Sequence, residues 1–481
     1  MAVVENNLNK QLLNIRELAI QVEREAQAAK FEADETWKNN TQFLEPTRSP
    51  SSLKLFDAQP STKFHGRENY LQELNRILVA DYQGGKQGTS LLLHGLGGVG
   101  KSELAIKFVS DHESAYPFII WIAADTIQKV RIAIGKAFRE LGLVVDSSGE
   151  PSGFVWRNWL AETGKLELTV SISRNKQTKG YADGWLLVFD NVEEETVLRE
   201  FWPRSKNGTI IATSRSPHIA STLMDHDIEV LPMTIDQSID LLSKLLPIKY
   251  QSAVSDEQAK AEEICRLVDG LPLAVVLIAS LIREGLRTLG ETLEILKKTR
   301  APLLNWSSNS GGSSKDTLTT VWEANIARLP KDSLYLLQIM TFLDPDRVEE
   351  AMLMDGRATK LRQVLPLEPS SYLVSLQALS NFSLIRRNGS TLSIHRLVQD
   401  VTIQRMDSAT RYHMFQIAVD LVWTVFPKQE NGLLMSSQLS SCQNYLPHVE
   451  SLEAKFRDYS LSANPNSGSA QLAEVAYLCS W

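Results

Sequence analysis

The stretch Ser90-Leu-Leu-Leu-His94-Gly95-Leu-Gly97-Gly98-Val99-Gly100-Lys101-Ser102 decides how this chain is read. Its first five residues are a short apolar run that stops at glycine, the pattern of a strand buried on both faces. From Glu103 to Val109 the apolar positions recur with helical spacing. Between the two, Gly95 to Ser102 fits the pattern G-x-x-x-x-G-K-[ST]. Glycines let successive backbone N–H groups curl around phosphate oxygens, and the N-terminus of the following helix adds its positive end. Lys101 then places a point charge on the β- and γ-phosphates of a nucleotide, and the Ser102 hydroxyl ligates Mg²⁺. Gly95, Gly97, Gly98, Val99, Gly100, Lys101 and Ser102 are therefore the expected nucleotide-binding residues, with Ser102 also a metal ligand.

Outward from this loop, three more apolar runs read as buried strands: Pro117 to Ala123, Gly184 to Asp190 and Gly208 to Thr213, with Asp227 to Leu231 a further candidate. Helical patterns separate them. Strands alternating with helices make a parallel sheet covered on both faces, a doubly wound α/β fold. Asp190, at the carboxyl end of a strand expected beside the loop strand, faces the switch-point crevice and suits the Mg²⁺ shell. Arg215 follows Thr213 and Ser214 at the end of the next strand, where a guanidinium reaches a γ-phosphate and reports its presence. Asp190 and Arg215 are the expected catalytic pair, and Asp190 the second metal residue.

With 481 residues the chain is too long for one core and divides into three or four units. Leu8, Leu12, Ile15, Ala19, Val22, Ala26, Ala29 and Ala33 fall on one helical stripe, so residues 1–40 read as an amphipathic helix. It either binds a partner or docks on its own protein. Residues 41–61, rich in Pro and Ser, read as a linker, and 62–233 as the nucleotide-binding unit. Helical patterns then fill 234–300, and a Ser/Gly-rich stretch marks a linker over 301–316. The block 317–406 is helical and contains two strand-like pieces, Leu384–Arg387 and Thr391–Ile394, joined by an Asn388-Gly389 turn that signals a hairpin. The remainder, 407–481, reads as helix.

The chain carries a net charge of −7, so no whole-chain basic field draws in nucleic acid or an anionic membrane. Cys265, Cys442 and Cys479 form no C-x-x-C pair, which fits a reducing compartment rather than a disulfide or zinc framework. The greasiest run, Leu271 to Ile282, is too short to span a bilayer. The expectation is a soluble, cytoplasmic protein that uses neither nucleic acid nor membrane as a partner.

These residues resemble the STAND class of signalling NTPases in its NB-ARC branch, and among them the fungal NLR-like proteins. The resemblance runs from about Phe64 to Trp481. Phe64-His-Gly66-Arg67-Glu is similar to the family's opening motif, which lies near the adenine. Leu186 to Asn191 is similar to its Mg²⁺ strand, and Thr213-Ser-Arg215 to its γ-phosphate sensor. Gly270-Leu-Pro272-Leu-Ala resembles the GLPLA motif of the helical ARC lid, whose proline packs on adenine. Ile394-His395-Arg396 stands where the family's winged-helix domain carries Met-His-Asp, with the histidine on the β-phosphate of ADP. On spacing alone, Pro272 is a helix-start proline and His395 an ordinary surface or core histidine. The resemblance makes Phe64, Gly66, Arg67, Pro272 and His395 nucleotide contacts.

The resemblance implies a P-loop NTPase sheet domain, a helical lid over 234–300, a winged helix over 317–406, and a helical segment leading into tetratricopeptide repeats that are truncated. Ser441 to Val449 and Leu472 to Tyr477 look like that lead-in. Three features depart from the pattern. Asn191 stands where many relatives have a second acidic residue, a candidate base for activating water. Arg396 replaces the aspartate that helps hold the closed state. Gly164 to Asp183 reads as an inserted, poorly packed loop.

The expected function is an adenine-nucleotide switch, closed with ADP and Mg²⁺ and self-associating with ATP. Its roles would be signal transduction, fungal innate immunity or heterokaryon incompatibility, under an unknown protein trigger or effector. As an enzyme it is at most a slow ATPase. The rival readings are an ATPase whose purpose is turnover, a transcriptional regulator using Arg386 and Arg387, and a truncated decoy.

Overall fold

The computed structural model describes residues 52–56, 58–62, 64–80, 89–141, 153–163, 184–203, 208–219, 223–247, 257–285, 288–304, 321, 325–326, 328–354, 369–428, 439–459 and 472. The N-terminal helix over 1–40, the stretch Gly164 to Asp183, the Ser/Gly-rich linker around Trp306 to Lys315 and most of Leu472 to Tyr477 lie outside them.

A parallel sheet of six strands organises the first half. Its strands are β1 (Leu53–Leu55), β2 (Ser90–His94), β3 (Phe118–Ala123), β4 (Trp185–Val192), β5 (Thr209–Ser214) and β6 (His226–Glu229), in the order β1-β3-β4-β5-β2-β6. The strands are apolar without alternation because both faces are covered. Leu91 and Leu93 share one core with Leu186, Val188 and Ile211. Leu92 shares the opposite core with Leu187, Phe189, Ile210 and Ala212. Burying one leucine side chain contributes about 1.5–3 kcal/mol, so these short strands are strongly fixed in register. Helices α1 (Glu68–Asn75), α2 (Lys101–Asp111), α3 (Ile127–Leu141), α4 (Gly153–Thr163) and α5 (Thr196–Arg199) connect them.

Two expectations about the sheet need correction. Residues 41–61 are not all linker, because Leu53–Leu55 pairs in parallel with Phe118–Ile120 as the edge strand. Three residues between proline-rich flanks give too little pattern to announce a strand. The strand bearing Asp190 is also not next to the loop strand. β5 lies between β4 and β2, and pairs with both. β4 continues past Asp190 to Val192 through a register shift, with Asn191 in the left-handed region at φ 61°.

Beyond the sheet come α6 (Ile235–Leu245), α7 (Gln258–Leu267), α8 (Pro272–Gly285) and α9 (Leu289–Leu304). Thr234 starts α6 with a capping box, its side chain accepting from the Gln237 N–H while Gln237 reaches back to the Thr234 N–H. The greasy run Leu271 to Ile282 is α8, buried because it packs on all sides within the protein. Gly270 precedes it at φ 65°, where a Cβ would lie 2.1 Å from the Met233 carbonyl oxygen. Only glycine fits that approach. α9 runs to Leu304, past the boundary expected at 300.

The C-terminal block holds α10 (Lys331–Met340), β7 (Val348–Glu349), α11 (Glu350–Met354), α12 (Pro369–Asn381), β8 (Ile385–Asn388), β9 (Thr391–Ile394), α13 (Arg396–Arg405), α14 (Ser408–Val425) and α15 (Leu439–Asp458). β7, β9 and β8 make a small antiparallel sheet around the Asn388-Gly389 turn. One apolar core runs from the α2 face of the sheet through α6–α9 into this block. Residues 50–481 accordingly form a single compact unit rather than a string of separate ones. Among the described residues no helix is long and apolar enough to cross a membrane.

Candidate functional site

The loop Gly95–Gly100 closes directly onto α2, with Gly100 as the N-cap at φ 98° and Gly98 at φ 77°. These angles are strained for any residue with a side chain. A Cβ at Gly100 would meet nothing within 4 Å, so the left-handed backbone rather than crowding calls for glycine there. Val99 is fully buried and anchors the loop in the core. Arg67 braces it from beneath: its Nη2 donates to the Val99 carbonyl at 2.9 Å and its Nη1 to the Leu231 carbonyl at 2.8 Å. Gly66 accepts from Gln237 Nε2 at 2.9 Å, tying the Phe64–Arg67 segment to α6. Phe64 itself is half-buried against the same core.

Lys101 Nζ donates to the carbonyls of Gly95 and Leu96, each at 2.9 Å. Burial, and then the nearby Arg215, push its ammonium down to about 8, against the pull of Asp190. Arg215 makes no ion pair or hydrogen bond among the described residues, and its side chain is exposed. His395 caps α13, its Nδ1 accepting from the Leu397 N–H at 3.2 Å. An accepting Nδ1 places the imidazole proton on Nε2, making that atom a donor. Although His395 reaches solvent, desolvation by the surrounding protein, then Arg215, Arg396 and Lys101, hold this imidazole down to about 4 against the pull of Asp346, so at neutral pH it is uncharged. Lys101, Arg215 and His395 thus lie within one another's fields, a concentration of donors and positive charge suited to a polyphosphate.

Ser102 Oγ donates to Asp190 Oδ1 at 2.7 Å. The intervening strand supplies the bridge: Thr213 Oγ1 donates to the same Asp190 oxygen at 2.6 Å and accepts from the Asn191 N–H at 2.8 Å. Burial raises the Asp190 carboxyl above its usual range, Asp346 adds to this, and the two hydroxyls and Arg396 work against it. A hydroxyl and an enclosed carboxylate held together beside a phosphate loop are the donor set a Mg²⁺ ion requires. Asn191 adds no carboxylate to it.

Two helix starts press on the loop from the other side. The Leu273 N–H, one residue after Pro272 at the start of α8, donates to the Gly98 carbonyl at 3.3 Å. A Cβ at Gly97 would lie 3.0 Å from Leu397 Cδ1, at the start of α13. The sheet domain, the α6–α9 helices and the C-terminal block all meet at this loop.

Residues 67–249 match the NB-ARC domain family. The chain carries an NB-ARC domain, a nucleotide-binding P-loop NTPase unit. Beyond the NB-ARC domain, residues 324–411 match a domain of unknown function, DUF7779. No curated protein matches the chain in sequence. Among solved structures it is similar to a STAND protein with a tetratricopeptide repeat sensor, PH0952 from Pyrococcus horikoshii, at 13% identity and TM-score 0.42, covering 90% of this chain and 60% of that one. It is also similar to the Walker-type ATPase PABY2304 of Pyrococcus abyssi, at 16% identity and TM-score 0.31, covering 73% of this chain and 99% of that one. A third is Cdc6p from Pyrobaculum aerophilum, at 14% identity and TM-score 0.34, covering 78% and 96%.

Sequence reasoning missed Thr213, Leu273, Leu397 and the carboxylates around Arg396. Thr213 stood inside a motif already quoted for Arg215. For Asp344 and Asp346, which reach the site from another block, the sequence holds no local signal.

Proposed function

We propose that the chain is an ADP/ATP-operated switch. The observation that carries this reading is the meeting of three blocks on one phosphate loop, through Leu273 on Gly98 and Leu397 beside Gly97. The loop amides and Lys101 hold the phosphates, Ser102 and Asp190 hold Mg²⁺, and Arg67 braces the loop. Mg²⁺ supplies neutralisation of phosphate charge when bound. Phe64, Gly66 and Pro272 border the adenine, and His395 offers its Nε2–H to the β-phosphate of ADP. Arg215, exposed and without a carboxylate partner among the described residues, recognises the γ-phosphate of ATP.

A ligand shifts a two-state balance only by its difference in affinity for the two states. Moving from mostly closed to mostly open needs about 5.5 kcal/mol. Charge-assisted hydrogen bonds are worth about 1.5–3 kcal/mol each, so two or three contacts among Lys101, Arg215 and His395 suffice. ADP would hold the closed form, in which the winged-helix block over 317–406 rests on the loop. ATP would release a form that self-associates, in signalling of the kind that recognises non-self.

Asn191 supplies no base, so hydrolysis would be slow. The arginines of the hairpin are committed within the chain, Arg386 to Glu103 and Arg387 to Glu350, which disfavours a DNA-reading role. The test is to purify the protein, denature it and identify the released nucleotide by chromatography. Wild type should release ADP in near-equimolar amount and Lys101→Ala almost none. Equal yields from both, or none from wild type, would remove the switch reading.

A further inference from the structure

At the carboxyl edge of the sheet, beside the site, five charged side chains from two blocks converge. Asp125 follows β3 and Lys129 lies in the first turn of α3. Asp344 and Asp346 follow α10, and Arg396 opens α13. Lys129 Nζ is 3.1 Å from Asp125 and 2.7 Å from Asp346, and also pairs with Asp344. Arg396 reaches Asp125 at 3.1 Å through Nη1 and Asp346 at 2.7 Å through Nη2. Lys129, Asp125 and Asp344 are nearly removed from solvent, with side-chain exposures of 7%, 11% and 6%. Charges so enclosed persist only when paired, and loss of one partner strands the others. Asp346 is the open member, with 42% of its side chain exposed; desolvation opposes its ionisation, but Lys129 and Arg396 outweigh it and hold the carboxyl at about 2.

We propose that Arg396 is the positioning residue of the nucleotide site: its ion pair with Asp125 pins the start of α13 on the sheet domain, and its pair with Asp346, itself held by Lys129 of α3, completes the link, so that His395 and Leu397 face the phosphate loop. The inference rests on the switch reading for what His395 contacts, but the pinning itself needs no nucleotide. Arg396 adjoins His395, whose ring caps the same helix, and Leu397, whose side chain meets Gly97. Asp125 is fixed in turn, because the preceding Ala124 N–H donates to the Asp190 carbonyl at 2.8 Å. The Arg396–Asp125 pair therefore ties α13 to the same sheet edge that holds Asp190. An aspartate at residue 396 would have the opposite effect. Two cations against three carboxylates would become one cation against four, and α13 would be driven off.

The test compares full-length wild type, Arg396→Lys, Arg396→Gln, Arg396→Asp and the charge-reversed pair Asp125→Arg with Arg396→Asp. Two quantities are read: the release rate of a fluorescent ADP analogue with Mg²⁺, and hydrogen exchange at the amides of Leu397 and Val398 without nucleotide. Arg396→Gln should release the analogue about tenfold faster than wild type and Arg396→Asp faster still. Arg396→Lys and the reversed pair should return most of the difference. Exchange at the two amides should rise in the same order, while α14 keeps its protection. Release and exchange within twofold of wild type in Arg396→Gln and Arg396→Asp would overturn the inference and leave the switch reading intact. If wild type retains no analogue yet the exchange order holds, the pinning stands and the nucleotide assignment falls.

Discussion

At the residue scale the decisive atom is Oγ1 of Thr213. It donates to Asp190 and accepts from the Asn191 N–H, so one hydroxyl sets both the Asp190 carboxylate and the left-handed turn after it. Removing it leaves a buried N–H unsatisfied, which costs about 1–3 kcal/mol, and it frees one of the two hydroxyls that counter the rise of the Asp190 carboxyl. Thr213→Val should therefore need several-fold more Mg²⁺ for half-maximal nucleotide retention, with nucleotide affinity in chelator nearly unchanged. Thr213→Ser should behave as wild type. A Mg²⁺ titration in which the valine variant matches wild type would show that the hydroxyl does not place the carboxylate. Thr213 was readable from the sequence as a strand end but not as a bridge. That role follows from β5 lying between β4 and β2, and strand order is set by packing that no local pattern records.

At the element scale, legibility tracked burial. β2 to β5 were plain because both faces are covered, and the hairpin was plain because Asn388-Gly389 is a turn signal. β1 was not, since three half-buried residues carry no period. The docking of α15 beside the site was invisible too, because its contact with the sheet edge spans 324 residues: Thr126 Oγ1 donates to Glu450 Oε2 at 3.0 Å. Enclosure, with Asp125 and Glu453 adding and Thr126 and Lys129 opposing, raises the Glu450 carboxyl to about 7. An acid raised on folding contributes stability that is full below its unfolded value near 4.5 and is lost as pH rises through 7. Glu450→Gln, which keeps an acceptor for Thr126 and carries no charge, should leave stability at pH 5 unchanged. At pH 8 it should raise stability by roughly 1–3 kcal/mol. His448, two residues earlier on the same helix, has the opposite sign, because burial, then Lys129 and Arg347, push its imidazole down to about 3. Its contribution is lost as pH falls below 6.5, so His448→Gln should gain on wild type in acid. Urea midpoints at pH 5, 6.5 and 8 separate the two, and a Glu450→Gln profile parallel to wild type would mean that this carboxyl stays in solvent.

At the scale of the whole molecule, the question is whether the loop and the C-terminal block are one mechanical unit. Gly97 and Leu397 make the most direct test, because neither contributes a charged group and the backbone at Gly97 lies outside the left-handed region. A methyl group at residue 97 would sit 3.0 Å from Leu397 Cδ1, closer than a comfortable contact, so α13 or the loop must yield by a few tenths of an ångström. Gly97→Ala should then speed ADP release several-fold with little change in association, since Lys101, Ser102 and Asp190 remain in place. Leu397→Ala removes the side chain that the methyl group would strike and leaves a gap of its own, so it too should release ADP faster than wild type. The double variant discriminates. Residues in contact depart from additivity by about 0.5–3 kcal/mol, whereas distant ones add. If the loop and α13 touch as described, Gly97→Ala should add nothing once Leu397 is alanine, and the double variant should release ADP no faster than Leu397→Ala alone. Multiplying effects would mean that the two blocks answer to the nucleotide separately, and that closure is not transmitted through this contact.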